Sequence, residues 1–170
     1  MRKFLLPVII TFSFALSCGS ADLYLRKGIV TAKPGKILIG YFERRNLRYD
    51  PYVVQNFRDA MAFEFFKQGY DCKVLKGEDL NAADEEAIAA LCKAASCDVY
   101  IRGAISEQEM GDLVDRKYST ALSFRLYSGG GKFFGEGRHF TEEPLGDAQV
   151  MQDLARDFVA ALNNEFGKLK

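Results

Sequence analysis

Tryptophan is absent, histidine occurs once, and 23 Lys and Arg residues balance 23 Asp and Glu in a chain of 170 residues. The missing net charge removes any general electrostatic reason to bind nucleic acid. A single His excludes a His-rich metal site or a mechanism that needs two imidazoles. Only four prolines in a chain that is 48% hydrophobic and 27% charged exclude an extended disordered tract. No G-x-S-x-G, H-E-x-x-H or P-loop pattern occurs, and no internal repeat or low-complexity run. What the chain does have is 14 Phe and 8 Tyr, enough apolar material for the core of one domain.

The N-terminus reads as an address. Arg2 and Lys3 precede the apolar run from Phe4 to Leu16, and Ser17-Cys18-Gly19-Ser20 follows as a small-residue exit. That run is too short for a permanent membrane helix and no stop-transfer segment follows it, so residues 1–17 are expected to be a signal peptide. The Cys after a small residue resembles the lipobox of bacterial lipoproteins, with Ala15 where Leu is usual and Leu16 one place later. The resemblance implies that Cys18 becomes an acylated N-terminus carrying palmitate-class chains, and that Gly19-Ser20, with no Asp beside the Cys, directs the protein to the outer membrane, on its periplasmic side or the cell surface. Ordinary cleavage near Ser20-Ala21, with Cys18 discarded, is the alternative. Loss of residues 1–17 takes Arg2 and Lys3 and no acid, so 23 bases become 21 against 23 acids. Residues 18–35, with the turn signal Lys33-Pro34-Gly35, are expected to be mainly a tether.

Residues 36–170 are expected to form one α/β domain in the order β-α-β-α-β-β-β-α, with a mixed sheet, parallel first and hairpins after. Lys36–Phe42 is a continuous apolar run, suited to a central strand buried on both faces. Asp50 and Pro51 then fit the cap and first turn of a helix with Val54, Phe57, Met61 and Phe65 at helical spacing and Gly69 as its stop. Tyr70–Leu75 reads as a short strand, and Asp84-Glu85-Glu86 open an Ala-rich helix. Asp98–Ser106 is the next strand. Tyr118–Tyr127 alternates, with Thr120, Leu122, Phe124 and Leu126 on one face and Ala121, Ser123, Arg125 and Tyr127 on the other. Ser128-Gly129-Gly130-Gly131 turns into a strand over Lys132–Phe140, and a last amphipathic helix covers about Gly146 to Glu165.

Candidate site residues are few. Arg44, Arg45, Arg48 and Tyr49 follow the first strand, where open α/β sheets receive ligands, and Arg and Tyr are frequent interface anchors. The plainer reading is a solvated loop whose arginines pair with Glu43 or Asp50. In an oxidising compartment Cys72, Cys92 and Cys97 are disulfide candidates, with either Cys92–Cys97 or Cys72–Cys97 able to approach and one thiol left over. No metal site, cofactor or catalytic set is expected: His139 stands near Arg138 and Glu136, the minimum for acid–base work, but alone. Among the phenylalanines Phe57, Phe63, Phe65 and Phe66 are expected mostly in the core, with Phe63 or Phe66 the exposed remainder.

The order of elements, the strand Lys36–Glu43, the segment Cys97–Ser106 and the hairpin Phe124–Lys132 resemble the periplasmic α/β domain shared by LpoB-type activators of penicillin-binding proteins, the TolB N-terminal domain and the core of CsgG-like lipoproteins. The resemblance spans about Lys36 to Asn163. It implies a docking module without catalysis, anchored to the membrane by lipid, with an envelope protein as partner and a homo-oligomer as one form; the short connection Glu107–Lys117 leaves no room for the membrane hairpins of the CsgG channels. A binder of small ligands or cell-wall fragments, working near Arg44 and Arg48, and a surface-exposed adhesin are the alternative expectations.

Overall fold

The computed structural model describes residues 21–26, 28–45, 52–76, 84–111 and 116–169. The candidates Cys18, Arg48 and Tyr49, and the capping pair Asp50 and Pro51, lie outside them. Six strands form one mixed sheet in the order β1-β6-β5-β4-β2-β3, with α1 (Tyr52–Lys67), α2 (Glu85–Ala95) and α3 (Ala148–Phe166) packed on it. β2 (Lys36–Arg45) runs parallel to both β3 (Asp71–Val74) and β4 (Val99–Gly111), because a helix intervenes each time. β4, β5 (Arg116–Ser128) and β6 (Phe133–Thr141) are successive antiparallel neighbours. The expected α/β class and mixed sheet are therefore present.

The helices form where apolar residues recur on one face and polar residues can cap the ends. Along α1, Val53, Phe57, Met61 and Phe65 are buried at four-residue spacing, and Gly69, at φ 82, ends it. In α2 the Asp84 carboxylate accepts from the Ala87 N–H at 2.8 Å, and Glu85 and Glu86 sit where the helix dipole favours acids. α3 opens the same way, with Asp147 accepting from the Gln149 N–H at 2.7 Å. α1 and α3 cover one face of the sheet and enclose the larger core. There Phe124 stacks on Phe158 with ring centroids 3.6 Å apart, and meets Phe42 edge-on at 5.8 Å. Gly103 stands between the strands that carry Phe42 and Phe124, opposite both. A Cβ there would run into the Ser123 carbonyl and reach 2.7 Å from the Phe42 ring. On the other face α2 encloses a smaller core of Leu38, Ile88, Tyr100 and Tyr127.

Three expectations are corrected. Asp22–Leu25, inside the presumed tether, is a strand, β1, paired with β6 from Asp22↔Arg138 to Leu25↔Gly135. Leu23 and Leu25 alternate onto the larger core, and Gly135 and Gly137 leave room for them. β2 is buried on both faces as expected, but it is not central: α1 returns β3 to the sheet edge, so β2 is next to the last strand. The connection Glu107–Lys117 is largely ladder, since the β4–β5 pairing continues from Glu107↔Thr120 to Gly111↔Arg116.

Gly103→Ala is expected to destabilise the domain by about 1–3 kcal/mol through overpacking. Urea unfolding checks this, with Gly130→Ala, whose Cβ meets only the Ser128 hydroxyl at 3.9 Å, as the near-neutral comparison.

Candidate functional site

α2 has 11 residues and shields only the end of its sheet face near the β5–β6 turn. Beyond Tyr100 and Tyr127 no helix among the described residues covers that face, and strand alternation decides what it displays. Three rows cross it, each two residues further along the strands. The first carries Tyr24, Arg102, Arg125 and Glu136; the second Asp22, Glu43, Ala104, Ser123 and Arg138; the third Arg45, Ser106, Ala121 and Phe140. The small side chains of Ala104, Ser106, Ala121 and Ser123 make a floor, and the long ones stand around it. The result is a groove of about 420 Å³ whose charged walls are four arginines, Arg45, Arg102, Arg125 and Arg138, and two acids, Glu43 and Glu136. Phe140, 63% exposed, lies at its rim.

The electrostatics inside the groove are unequal. Glu43 accepts from Arg45 at 2.6 Å; this bond, with Arg45 and Arg102 nearby, holds its carboxyl below the usual range. The same bond raises Arg45. Arg102 and Arg125 are direct cross-strand partners, an arrangement of like charges that opposes pairing. Glu136 faces Arg125 from the other side.

The sequence candidates separate in the structure. Arg45 joins the groove. Arg44, opposite Ile105, takes the other side of β2 and is exposed. Cys92 and Cys97 are joined in a disulfide with Cα atoms 4.8 Å apart, tying the end of α2 to the start of β4. Cys72 is a free thiol on β3, pushed up to about 12 by burial and by Asp71. β2 lies between β3 and β4, so the strands that follow Cys72 and Cys97 are not neighbours. His139 faces the larger core and is 6% exposed, whereas Glu136 and Arg138 are exposed on the groove side, so alternation parts the imidazole from the groups flanking it in sequence. Both Phe63 and Phe66 are exposed on α1.

Two features went unsignalled as functional candidates. The arginine row was visible in part, since the alternation of β5 already set Arg125 with Ala121 and Ser123 away from the core. Arg58 gave no signal: it is buried among the parallel strand ends, where its guanidinium donates to the Leu75 carbonyl and to Gln55 at 3.2 Å. Burial lowers its pKa. It fills part of the crevice where an open α/β sheet commonly takes a ligand.

No family model matches the chain, and no curated protein is similar to it. Solved structures are similar in fold. The PelC dodecamer from Paraburkholderia phytofirmans superposes with a TM-score of 0.62 at 13% identity, over 85% of this chain and 96% of that one. Lipoprotein GNA1162 from Neisseria meningitidis superposes at 0.51 and 14% identity, over 77% and 99%. The LpoB C-terminal domain from Salmonella enterica matches over 69% and 88% at 12% identity, and at 0.43 is too loosely superposed to add to these. At such identities the likeness shows the α/β fold and not the activity.

Burial lowers the pKa of His139 from 6.5, with Asp157 and Asp22 opposing. Folding therefore favours the neutral ring, so the unfolded chain takes up the proton first. The contribution is full above pH 6.5 and is lost as pH falls from there towards the folded-state value. His139→Gln is expected to flatten that part of the profile, read as a smaller fall in the urea midpoint between about pH 7.5 and about pH 5.5.

Proposed function

We propose that this chain is a lipid-anchored cell-envelope protein, held to the outer membrane through Cys18, whose α/β domain docks an envelope protein without catalysis. The observation that carries the docking is the half-covered sheet. Among the described residues one half-face of the six-stranded sheet is left without a helix, and that half-face is lined with arginines and acids and rimmed by exposed Phe140 and Tyr24. Arg, Tyr and Phe are enriched where proteins dock because they join contact area to directional hydrogen bonds. Arg44 lies at the same end of β2 but on its other side, and Arg48 and Tyr49 extend the candidate surface in sequence.

Several facts support the anchor. Residues 1–20 have the charge, length and Cys placement of a lipoprotein leader. No helix among the described residues is long and apolar enough to cross a membrane. One protein of similar fold is titled a lipoprotein. Cys18 precedes Asp22 by four residues, at most about 14 Å of chain, so acyl chains on it hold the β1–β6 edge beside the bilayer. Another is titled a dodecamer, which makes a second copy of this chain one candidate partner.

Intact mass of protein extracted from membranes tests the anchor. The expected mass lacks residues 1–17 and carries acyl chains, and Cys18→Ala abolishes both changes. An unmodified chain that begins after Ser20 contradicts the anchor. A photocrosslinker at Ser123 tests the docking, which predicts one discrete adduct in the envelope fraction. A crosslinker at Asp153 on the exposed side of α3 gives none.

A further inference from the structure

Among the described residues six large apolar or aromatic side chains are exposed. Tyr52, Phe63 and Phe66 are on α1, and the other three, Tyr24, Phe140 and Met110, stand on the sheet face that α2 only partly shields. Strand register places them. Tyr24 is in the first row on β1, Phe140 in the third on β6, and Met110, across from Lys117, two rows beyond Ser106 on β4. With neighbouring strands about 4.8 Å apart and successive rows about 7 Å apart, the three positions fall along one diagonal of the face, about 30 Å long.

The chain that leads to Cys18 joins the sheet beside that diagonal. Cys18 precedes Asp22 by four residues, at most about 14 Å of chain. Tyr24 and Phe140 are each about 7–8 Å from Asp22 by the strand and row spacing. β1 runs opposite to β6, and so to β4, which puts its first residue at the end of the sheet where β4 and β5 project. There the pairing of β2 with β4 ends at Ser106 and that of β6 with β5 at Thr120, whereas β4 and β5 stay paired to Gly111. Asp22 is level with Ala104, and from Ala104 to Gly111 is about 23 Å along the strand, further than Cys18 can reach in that direction. Acyl chains that take Cys18 into a bilayer therefore bring the projecting ribbon and the β1–β6 edge to the lipid together.

We propose that the anchored domain rests on the lipid surface through Tyr24, Phe140 and Met110. The inference rests on the lipid-anchor reading above and adds the orientation of the domain, with the groove floor opening beside the bilayer for the docked protein. Phe140 and Met110 enter the acyl boundary, and Tyr24 keeps its hydroxyl among the headgroups. Charge takes little part: Arg138 stands across from Asp22, Arg125 from Glu136, and Arg45 is bonded to Glu43. Neutral lipid therefore serves as well as anionic lipid. Three side chains bind weakly by themselves, and the anchor makes their contact intramolecular.

The chain has no Trp, so a single introduced indole reports alone. The test places the membrane-extracted mature chain, its mass measured, in phosphatidylcholine vesicles with brominated acyl chains, which quench indole on contact. Phe140→Trp is expected to lose fluorescence relative to vesicles without bromine, and to lose as much when salt is raised or anionic lipid is added. Tyr24→Trp and Met110→Trp are expected to be quenched likewise, and Phe63→Trp, on α1, to keep its fluorescence. All four positions are exposed, so these substitutions leave the core intact. Quenching of Phe140→Trp no greater than that of Phe63→Trp, in a chain of acylated mass, overturns the proposal and leaves the anchor standing. A mass without acyl chains removes the anchor reading and the proposal with it. Protection of Phe140 in the envelope membrane fraction without quenching in the vesicles overturns it in favour of the docked protein.

Discussion

A six-stranded sheet has two faces to cover, and helices of 16, 11 and 19 residues cannot cover both. The two longer helices share one face. α1 and α3 pack side by side there, joined by the Tyr70 hydroxyl donating to Asn163 at 2.8 Å and by Glu64 held between Lys67 and Gln152. The aromatic cluster beneath them uses the space left by Gly103. The disulfide between Cys92 and Cys97 fixes the short helix to one end of the other face, so among the described residues the remaining area carries no helix.

That division explains where charge is found. Buried positions on the helix-covered face tolerate polar groups only with partners: Glu107 accepts from the Leu145 N–H at 2.8 Å, and Thr120 donates to the Glu143 carbonyl at 2.9 Å. On the open face the same strands alternate charges of both signs, with Arg125 across from Glu136 and Arg138 across from Asp22. The docking reading depends on this one asymmetry and needs no reaction centre.

Much of the fold was legible because periodicity records burial. The alternation of Thr120, Leu122, Phe124 and Leu126 marked one face of β5 correctly, and Gly129 to Gly131 marked its turn. Asp84 and Gly69 marked helix ends. Less legible was anything set by neighbours distant in sequence. β1 is four residues long, and its identity depends on Gly135 and Gly137, more than a hundred residues later, leaving room for its leucines. The groove is assembled from one end of β2 and three antiparallel strands, so Arg45 was visible as a candidate by its cluster, whereas its companions Arg102 and Arg138 each read as an ordinary strand residue. Arg44 and Arg45, adjacent in sequence, project to opposite sides because a strand alternates.

The central claim is that the open half of the sheet is the covered face in the envelope. Hydroxyl-radical footprinting of the protein in its membrane fraction, compared with the purified chain, measures this directly. The account predicts that oxidation of Phe140 and Tyr24 falls in the membrane fraction, while Phe63 and Phe66 on α1 oxidise equally in both. Protection of Phe63 and Phe66 with Phe140 and Tyr24 unchanged would contradict it and move the docking surface to the helical side.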